Sequence, residues 1–211
     1  FQLALKTNRA PFAGSADTDL DLADGFVQLR AEPHTRLSVP ALLARNNMDR
    51  YAAIGTAKPG PERKDFSSHS FGAQFAEVRV DPDLGQVRVS RWVGAYAAGR
   101  ILNAKTARSQ AIGGVVWGIG MALMEETRLD PHSGRITNPN LAEYLVPVNA
   151  DVPDITTIFI EEQDRMTNPA GVKGLGETPM VGVAAAIANA VWHATGLRVR
   201  ELPITIEKVI A

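Results

Sequence analysis

Two runs of alternating polar and apolar residues, Ser70 to Val80 and Gln86 to Tyr96, flank the pentapeptide Asp81-Pro-Asp-Leu-Gly85. Side chains on a strand point alternately to its two faces, so each run reads as a strand with one buried face. Gly85 supplies the positive φ that the turn needs, and the pair is predicted to form an antiparallel hairpin. Ala98-Gly99-Arg100 ends the second strand. After it come a long helical run from about Ala104 to Glu126, preceded by Asn103, and a strand from Ile155 to Glu161. A glycine-rich loop from Met166 to Gly176 then leads to a helix of small residues from Thr178 to Thr195, closed by Gly196. A hairpin followed by helix, strand, loop and helix is an α+β arrangement of mixed sheet and helices rather than a regular βαβ series.

The flanking parts are less regular. Phe1 to Lys6 is a short alternating segment, Phe26 to Ala31 alternates like a strand, and Val39 to Asn46 has the spacing of a short helix capped by Ser38. Lys58 to Ser70, with its Pro-Gly-Pro and charge cluster, reads as an exposed loop or crossing segment. Asp130 to Gly134 is a further turn. The end, from Leu202 to Val209, reads as an extended entry, a Thr205 cap and one helical turn. Because the chain opens on Phe1 without a charged leader, it reads as trimmed at its start. The most apolar stretches, Ala111 to Met124 and Met180 to Ala194, are shorter than the roughly 18 residues of a membrane span and are expected to be buried helices.

Charge and residue types exclude several functions. Twenty-two basic and 23 acidic residues leave a formal net charge of -1, so neither nucleic acid nor a membrane is an expected partner. The 211 residues contain no cysteine, which removes disulfides, thiolate metal ligation and iron–sulfur ligation from this chain. His34, His69, His132 and His193 show no zinc-ligand spacing, and His193 reads as a structural residue. No serine sits in a nucleophile elbow. Glu125 and Glu126 are adjacent, so they point to different sides of a helix and do not form a glycosidase pair.

The most unusual stretch is Gly171-Val-Lys-Gly174-Leu-Gly176-Glu177-Thr-Pro. Its glycines let backbone N–H groups approach a ligand, and a loop running into a helix start favours an anion such as a phosphate or a polar cofactor. The same pattern also serves as a tight loop between elements. The order Gly-x-x-Gly-x-Gly is not the dinucleotide fingerprint, and there is no Walker lysine pattern. A carboxylate at Glu177, in the first turn of the following helix, either complements the helix dipole or acts as a general base. Gly113, Gly114, Gly118 and Gly120 each weaken a helix by about 1 kcal/mol relative to alanine. They call for close helix packing or a ligand close to the backbone.

These residues, in this order, resemble the C-terminal end of the molybdopterin-binding subunit of the xanthine dehydrogenase and aldehyde oxidase family. The resemblance rests on Gly171 to Pro179, Ala184-Ala-Ala-Ile-Ala-Asn-Ala190, Ala194-Thr-Gly-Leu-Arg198 and Leu202-Pro203. Upstream it rests on Ala98-Gly-Arg-Ile-Leu-Asn103, Ser109-Gln110, Gly113-Gly114, Gly118-Ile-Gly120, Glu125, Tyr144 and Pro153. Phe71-Gly-Ala-Gln-Phe-Ala-Glu77 and Ala97 to Asn103 are similar to bacterial aldehyde oxidoreductases of the periplasmic type. Residues 70–211 carry the specific motifs, and residues 1–69 resemble the preceding part of the same subunit more loosely.

The resemblance implies an oxidoreductase that converts aldehydes to carboxylic acids with water as oxygen source. Glu177 is implied to be the catalytic base beside the molybdenum, taking a proton from its hydroxyl ligand while hydride passes to the sulfido ligand. Gln110, Gly113 and Gly114, together with Gly171, Val172, Lys173, Gly174, Leu175 and Gly176, are implied to contact a molybdopterin cofactor, in its cytosine dinucleotide form in bacterial relatives. No residue of this chain is implied to ligate the metal. Implied partners are the remainder of the molybdopterin-binding subunit, a [2Fe-2S] subunit and an FAD subunit. Three alternatives stay open: hydroxylation of an N-heterocycle, a noncatalytic cofactor-free domain, and a phosphate-binding module with the loop on a nucleotide. The compartment, cytoplasm or periplasm, is open as well.

Overall fold

The fold is that of a computed structural model, which describes residues 1–5, 11–56, 60 and 64–210. The prolines of the expected loop after Lys58 fall outside the described residues. The chain forms two compact units, Phe1–Ala57 and Lys58–Ala211.

The first unit opens with one helical turn, α1 (Gln2–Leu5), where a short alternating segment is expected. An antiparallel sheet follows, β1 (Leu20–Ala23), β2 (Phe26–Leu29) and β3 (Arg36–Ser38), in that order. Asp24 and Gly25 turn the chain between β1 and β2 with φ of 48° and 78°, which suits the twist of a two-residue hairpin. The helix α2 (Val39–Arg45) starts where the sequence places it, with the Ser38 hydroxyl accepting the Ala41 N–H at 3.3 Å. Ala4, Phe12, Leu20, Val27 and Leu42 form the core of this unit.

In the second unit, β4 (Phe71–Val80) and β5 (Val87–Ala97) form the expected hairpin, and Gly85 takes a φ of 66° at its turn. Asn103 caps α3 (Ala104–Leu123), its side chain accepting the Thr106 N–H. After this helix and an irregular stretch of turns, the chain enters β6 (Asp154–Phe159), which pairs parallel to β5, so the sheet is mixed with order β4-β5-β6. Then come α4 (Val183–Thr195) and the last turn α5 (Glu207–Ile210). Ahead of α5, the Thr205 carbonyl accepts the Lys208 N–H.

Both long helices cover one face of the sheet. Trp92 and Ile155 from the strands meet Val115 and Ile119 of α3 and Val183, Ile187 and Val191 of α4, all buried. On the opposite face Phe71, Phe75 and Ile158 stand exposed. No helix of the described residues is long and apolar enough to cross a membrane.

The glycines inside α3 have different neighbours. A Cβ on Gly114 would lie 3.2 Å from Pro179 Cβ, and one on Gly118 would run into the Val183 side chain. One on Gly120 would meet Glu125 and Pro147. Close packing therefore accounts for three of them, while a Cβ on Gly113 would meet nothing within 4 Å.

Candidate functional site

The glycine loop is fixed at its root. Arg100 N–H donates to the Gly171 carbonyl at 2.7 Å, Lys173 N–H donates to the Ala98 carbonyl at 3.0 Å, and Gly99 bridges Val172. Gly99 and Gly171 both take positive φ, and a Cβ on Gly99 would strike the Gly171 carbonyl. Asn168 completes the root: its side chain accepts the Val172 N–H and donates to the Val172 carbonyl at 2.7 Å, and its own carbonyl accepts the Gly171 N–H. The amide protons of Gly171, Val172 and Lys173 are thus all used inside the protein. Those of Gly174, Leu175, Gly176 and Glu177 have no acceptor among the described residues.

Lys173 is an anchor. Its side chain is 7% exposed, and its ammonium lies 2.5 Å from Glu162 and 3.4 Å from Asp164, with the His69 carbonyl at 3.2 Å. The Glu162 carboxylate holds the ammonium pKa above its ordinary value. Asp164 is held below the usual carboxylate range, first by the Thr167 hydroxyl and then by Lys173.

Beyond Lys173 the loop is held by side chains. Ser70 Oγ and Thr178 Oγ1 both donate to the Gly174 carbonyl, at 2.5 and 3.3 Å, and Gln110 Nε2 donates to the Gly176 carbonyl at 2.8 Å. The structure therefore brings Gln110 on α3 to the residue that precedes Glu177. Gln110 and Gly113 are exposed along one side of α3, whereas Gly114 is buried against the turn at Pro179 and Met180.

The surroundings of Glu177 differ from the sequence expectation. α4 begins at Val183 with Gly182 as its N-cap, so Glu177 lies outside the first helical turn and does not complement the helix dipole. Its carbonyl instead accepts the N–H groups of Met180 and Val181, at 2.8 and 3.2 Å, closing a turn before the helix. Nor does the glycine loop run straight into a helix start. The Glu177 side chain is exposed and lines a cavity of about 520 Å³ with Ser70, Phe71, Gln74, Val181 and Asn189. Ser70 and Gly174 also line a cavity of about 710 Å³ with Asp164 and Thr167.

Two further residues of the resemblance meet at the far end of α3. Tyr144 OH donates to Glu125 at 3.1 Å, and that bond raises the phenol pKa. His193 is exposed in the last turn of α4 rather than tied into the core. Gln74 carries no signal of its own in the sequence beyond its place in the Phe71–Glu77 motif, yet it is the strand residue that reaches the turn after Glu177, donating to the Thr178 carbonyl at 3.1 Å.

As an ensemble, the site offers a run of free backbone donors, an exposed amide beside them and a solvent-accessible carboxylate on the next residue. Unpaired amides suit the polar edge or phosphates of a large cofactor, and the carboxylate can hold or release a proton beside it. Among the described residues no histidine, aspartate and glutamate group has the arrangement of a metal site.

Comparison with known proteins places the chain among characterised families. The profile of the molybdopterin cofactor-binding domain matches residues 3–153. The aldehyde oxidoreductase molybdenum-binding subunit of Escherichia coli is 48% identical over 151 residues, covering 72% of this chain and 21% of that protein. The nicotine 6-hydroxylase large subunit of Paenarthrobacter nicotinovorans is 31% identical over 207 residues, covering 93% of this chain and 25% of that one, an alignment long enough to include residues 171–177. The crystal structure of quinoline 2-oxidoreductase from Pseudomonas putida superposes over 99% of this chain and 27% of its own, with a TM-score of 0.75 and 25% identity. The chain thus spans about a fifth to a quarter of the length of these relatives.

Proposed function

Since the chain belongs to the molybdopterin cofactor-binding domain family, we propose that it forms part of a molybdenum hydroxylase that oxidises aldehydes to carboxylic acids. The observation that carries the reading is the placement of Glu177 at the end of a four-residue run, Gly174 to Glu177, whose backbone donors have no acceptor among the described residues. The similarity to an aldehyde oxidoreductase subunit supports the substrate class. Likeness to a nicotine hydroxylase and a quinoline oxidoreductase supports the second reading, hydroxylation of an electron-poor ring carbon of an N-heterocycle.

In the aldehyde reaction, one aldehyde and one water give one carboxylic acid, two electrons and two protons. Molybdenum with its pterin, when bound, supplies the two-electron chemistry. The part of this chain is to bind, orient and move a proton. Glu177, ionised, accepts a proton from the attacking oxygen at its carboxylate, which requires the carboxylate within hydrogen-bond reach of that oxygen. The N–H groups of Gly174, Leu175 and Gly176 contact the pterin or the phosphates of a cytosine dinucleotide form. Gly171, Val172 and Lys173 hold that run in place from its root. Gln110 clamps Gly176 through its NH₂ group and offers its carbonyl oxygen to the pterin. Gly113 leaves room beside it, and Gly114 seats the turn that follows Glu177. Electrons leave through a [2Fe-2S] subunit and an FAD subunit, and the exposed sheet face with Phe71, Phe75 and Ile158 is available to the remainder of the molybdopterin-binding subunit.

Gly113 gives a test in the complete subunit. Because a Cβ there would meet nothing within 4 Å and Gly113 is exposed, Gly113→Leu should leave the melting temperature unchanged or raise it, since leucine stabilises a helix by close to 1 kcal/mol over glycine. Molybdenum and pterin content should fall severalfold. Full cofactor content in a folded Gly113→Leu subunit would contradict a cofactor on this side of α3.

A further inference from the structure

We propose that Gln74 is a positioning residue for Glu177: it fixes the turn that carries the carboxylate from a buried polar row beneath it. The inference rests on the assignment of Glu177 above. Gln74 Nε2 donates to the carbonyl of Thr178, the residue after Glu177. The amide is also wedged. A Cβ on Gly182, at the other end of the turn, would lie 2.9 Å from Gln74 Cδ and 3.1 Å from both Nε2 and Oε1, so the plane of the amide sits flush on the Gly182 backbone. One side chain therefore touches both ends of the turn that Glu177 closes through its own carbonyl.

The orientation of that amide is chemically fixed. Thr178 O only accepts hydrogen bonds, so the NH₂ group must face it and Oε1 must turn away. Oε1 is buried and, among the described residues, has no hydrogen-bond donor. Strand register places Gln74, Gly94 and Thr157 side by side on β4, β5 and β6, with Trp92 and Tyr96 two residues either side of Gly94 on the same face. The Tyr96 hydroxyl lies over Gly94, in the space a Cβ would fill. Trp92 Nε1, Tyr96 OH and Thr157 Oγ1 are buried as well, and among the described residues none makes a hydrogen bond of good geometry, although the Trp92 side chain lies near enough to the Tyr96 hydroxyl to act on it.

An acceptor thus shares one row with an indole donor and two hydroxyls. Buried polar atoms are almost always satisfied, by protein or by internal water. Oε1 keeps its place in this row only while the NH₂ group faces Thr178 O, so the row and the carbonyl together hold the amide in one orientation. In this way the sheet interior sets the direction of a bond that ends one residue from Glu177. Burial pushes the Tyr96 phenol pKa up, against a smaller lowering by Trp92.

Amide hydrogen exchange in the 211-residue chain tests the proposal, with Met180 and Val181 as reporters because both donate to the Glu177 carbonyl. Gln74→Met keeps the length and removes the donor. It should speed exchange at these two amides by about five- to tenfold, the loss of one hydrogen bond, while Trp92 and Val93 in β5 change less than about twofold. Gln74→Glu should behave like wild type below the pH at which its carboxyl ionises, since a protonated carboxyl still donates to Thr178 O, and like Gln74→Met above it. Each comparison is made with wild type at the same pH. Unchanged exchange at Met180 and Val181 in Gln74→Met, an increase spread evenly over β5, or pH-independent behaviour of Gln74→Glu would each overturn the proposal. Turnover of Glu177 variants does not enter this result, so a failure here is distinct from a failure of the base assignment.

Discussion

Lys173 and Glu177 lie four residues apart and have opposite surroundings. The lysine is buried between two carboxylates, whereas Glu177 is exposed and, among the described residues, no ion pair reaches it. A base that must meet a substrate gains from accessibility, and an anchor gains from burial. The pH dependence of the anchor follows from the two shifts. Asp164 has a folded pKa below its unfolded one, so its contribution is complete above the ordinary carboxylate value and is lost as pH falls through the depressed value. Lys173 has a folded pKa above 10.5, so its contribution is complete below that value and is lost as pH climbs through the raised one. Protection of the loop against proteolysis should therefore be flat across neutral pH and fall in acid and in strong alkali. Lys173→Met should make the loop more sensitive at neutral pH and abolish the alkaline fall. A Lys173→Met chain with wild-type protection and an intact alkaline fall would show that the ion pairs do not hold the loop.

At the scale of elements, the glycines of α3 separate packing from access. Gly118→Ala drives a methyl group into Val183 and should lower stability by about 2 kcal/mol, the usual cost of overpacking. Gly113→Ala touches nothing and should raise it by up to about 1 kcal/mol. Chemical denaturation of both variants checks the contrast, and equal effects of the same sign would refute the packing account. Elements with a strong local signal were legible in the sequence: the β4–β5 hairpin through its alternation and Gly85, α3 through Asn103, and α2 through Ser38. The β1–β2 hairpin had an equally clear signal, Asp24-Gly25 between apolar pairs, which a search for longer alternation passes over. The start of α4 was not legible. Thr178-Pro179 carries the local signature of a helix start, but Pro179 packs on Gly114 and Gly182 packs on Gln74, and those two contacts turn the chain once before the helix begins. Likewise, the polar row at Gly94 depends on strand register, which local patterns do not encode.

For the molecule as a whole, each unit has its own core, with Phe12 and Leu20 at the centre of one and Trp92, Ile119 and Ile187 at the centre of the other. The second unit is large enough to bury a core of its own, whereas a unit of fewer than about 60 residues is marginal alone. Residues 58–211 should therefore fold cooperatively in isolation, and the absence of a sharp melting transition in that segment would contradict the division. Family membership was legible from the order of short motifs along the chain, and the comparisons agree with it. The role of each site residue was legible only as an implication, because it depends on which backbone donors remain unpaired after folding. Catalysis in the complete enzyme depends on the Glu177 carboxylate. Glu177→Gln keeps the size and the turn but cannot take a proton, so molybdenum and pterin content should stay at wild-type level while kcat falls by at least about 10²-fold. Wild-type turnover in a fully loaded Glu177→Gln enzyme would contradict the account.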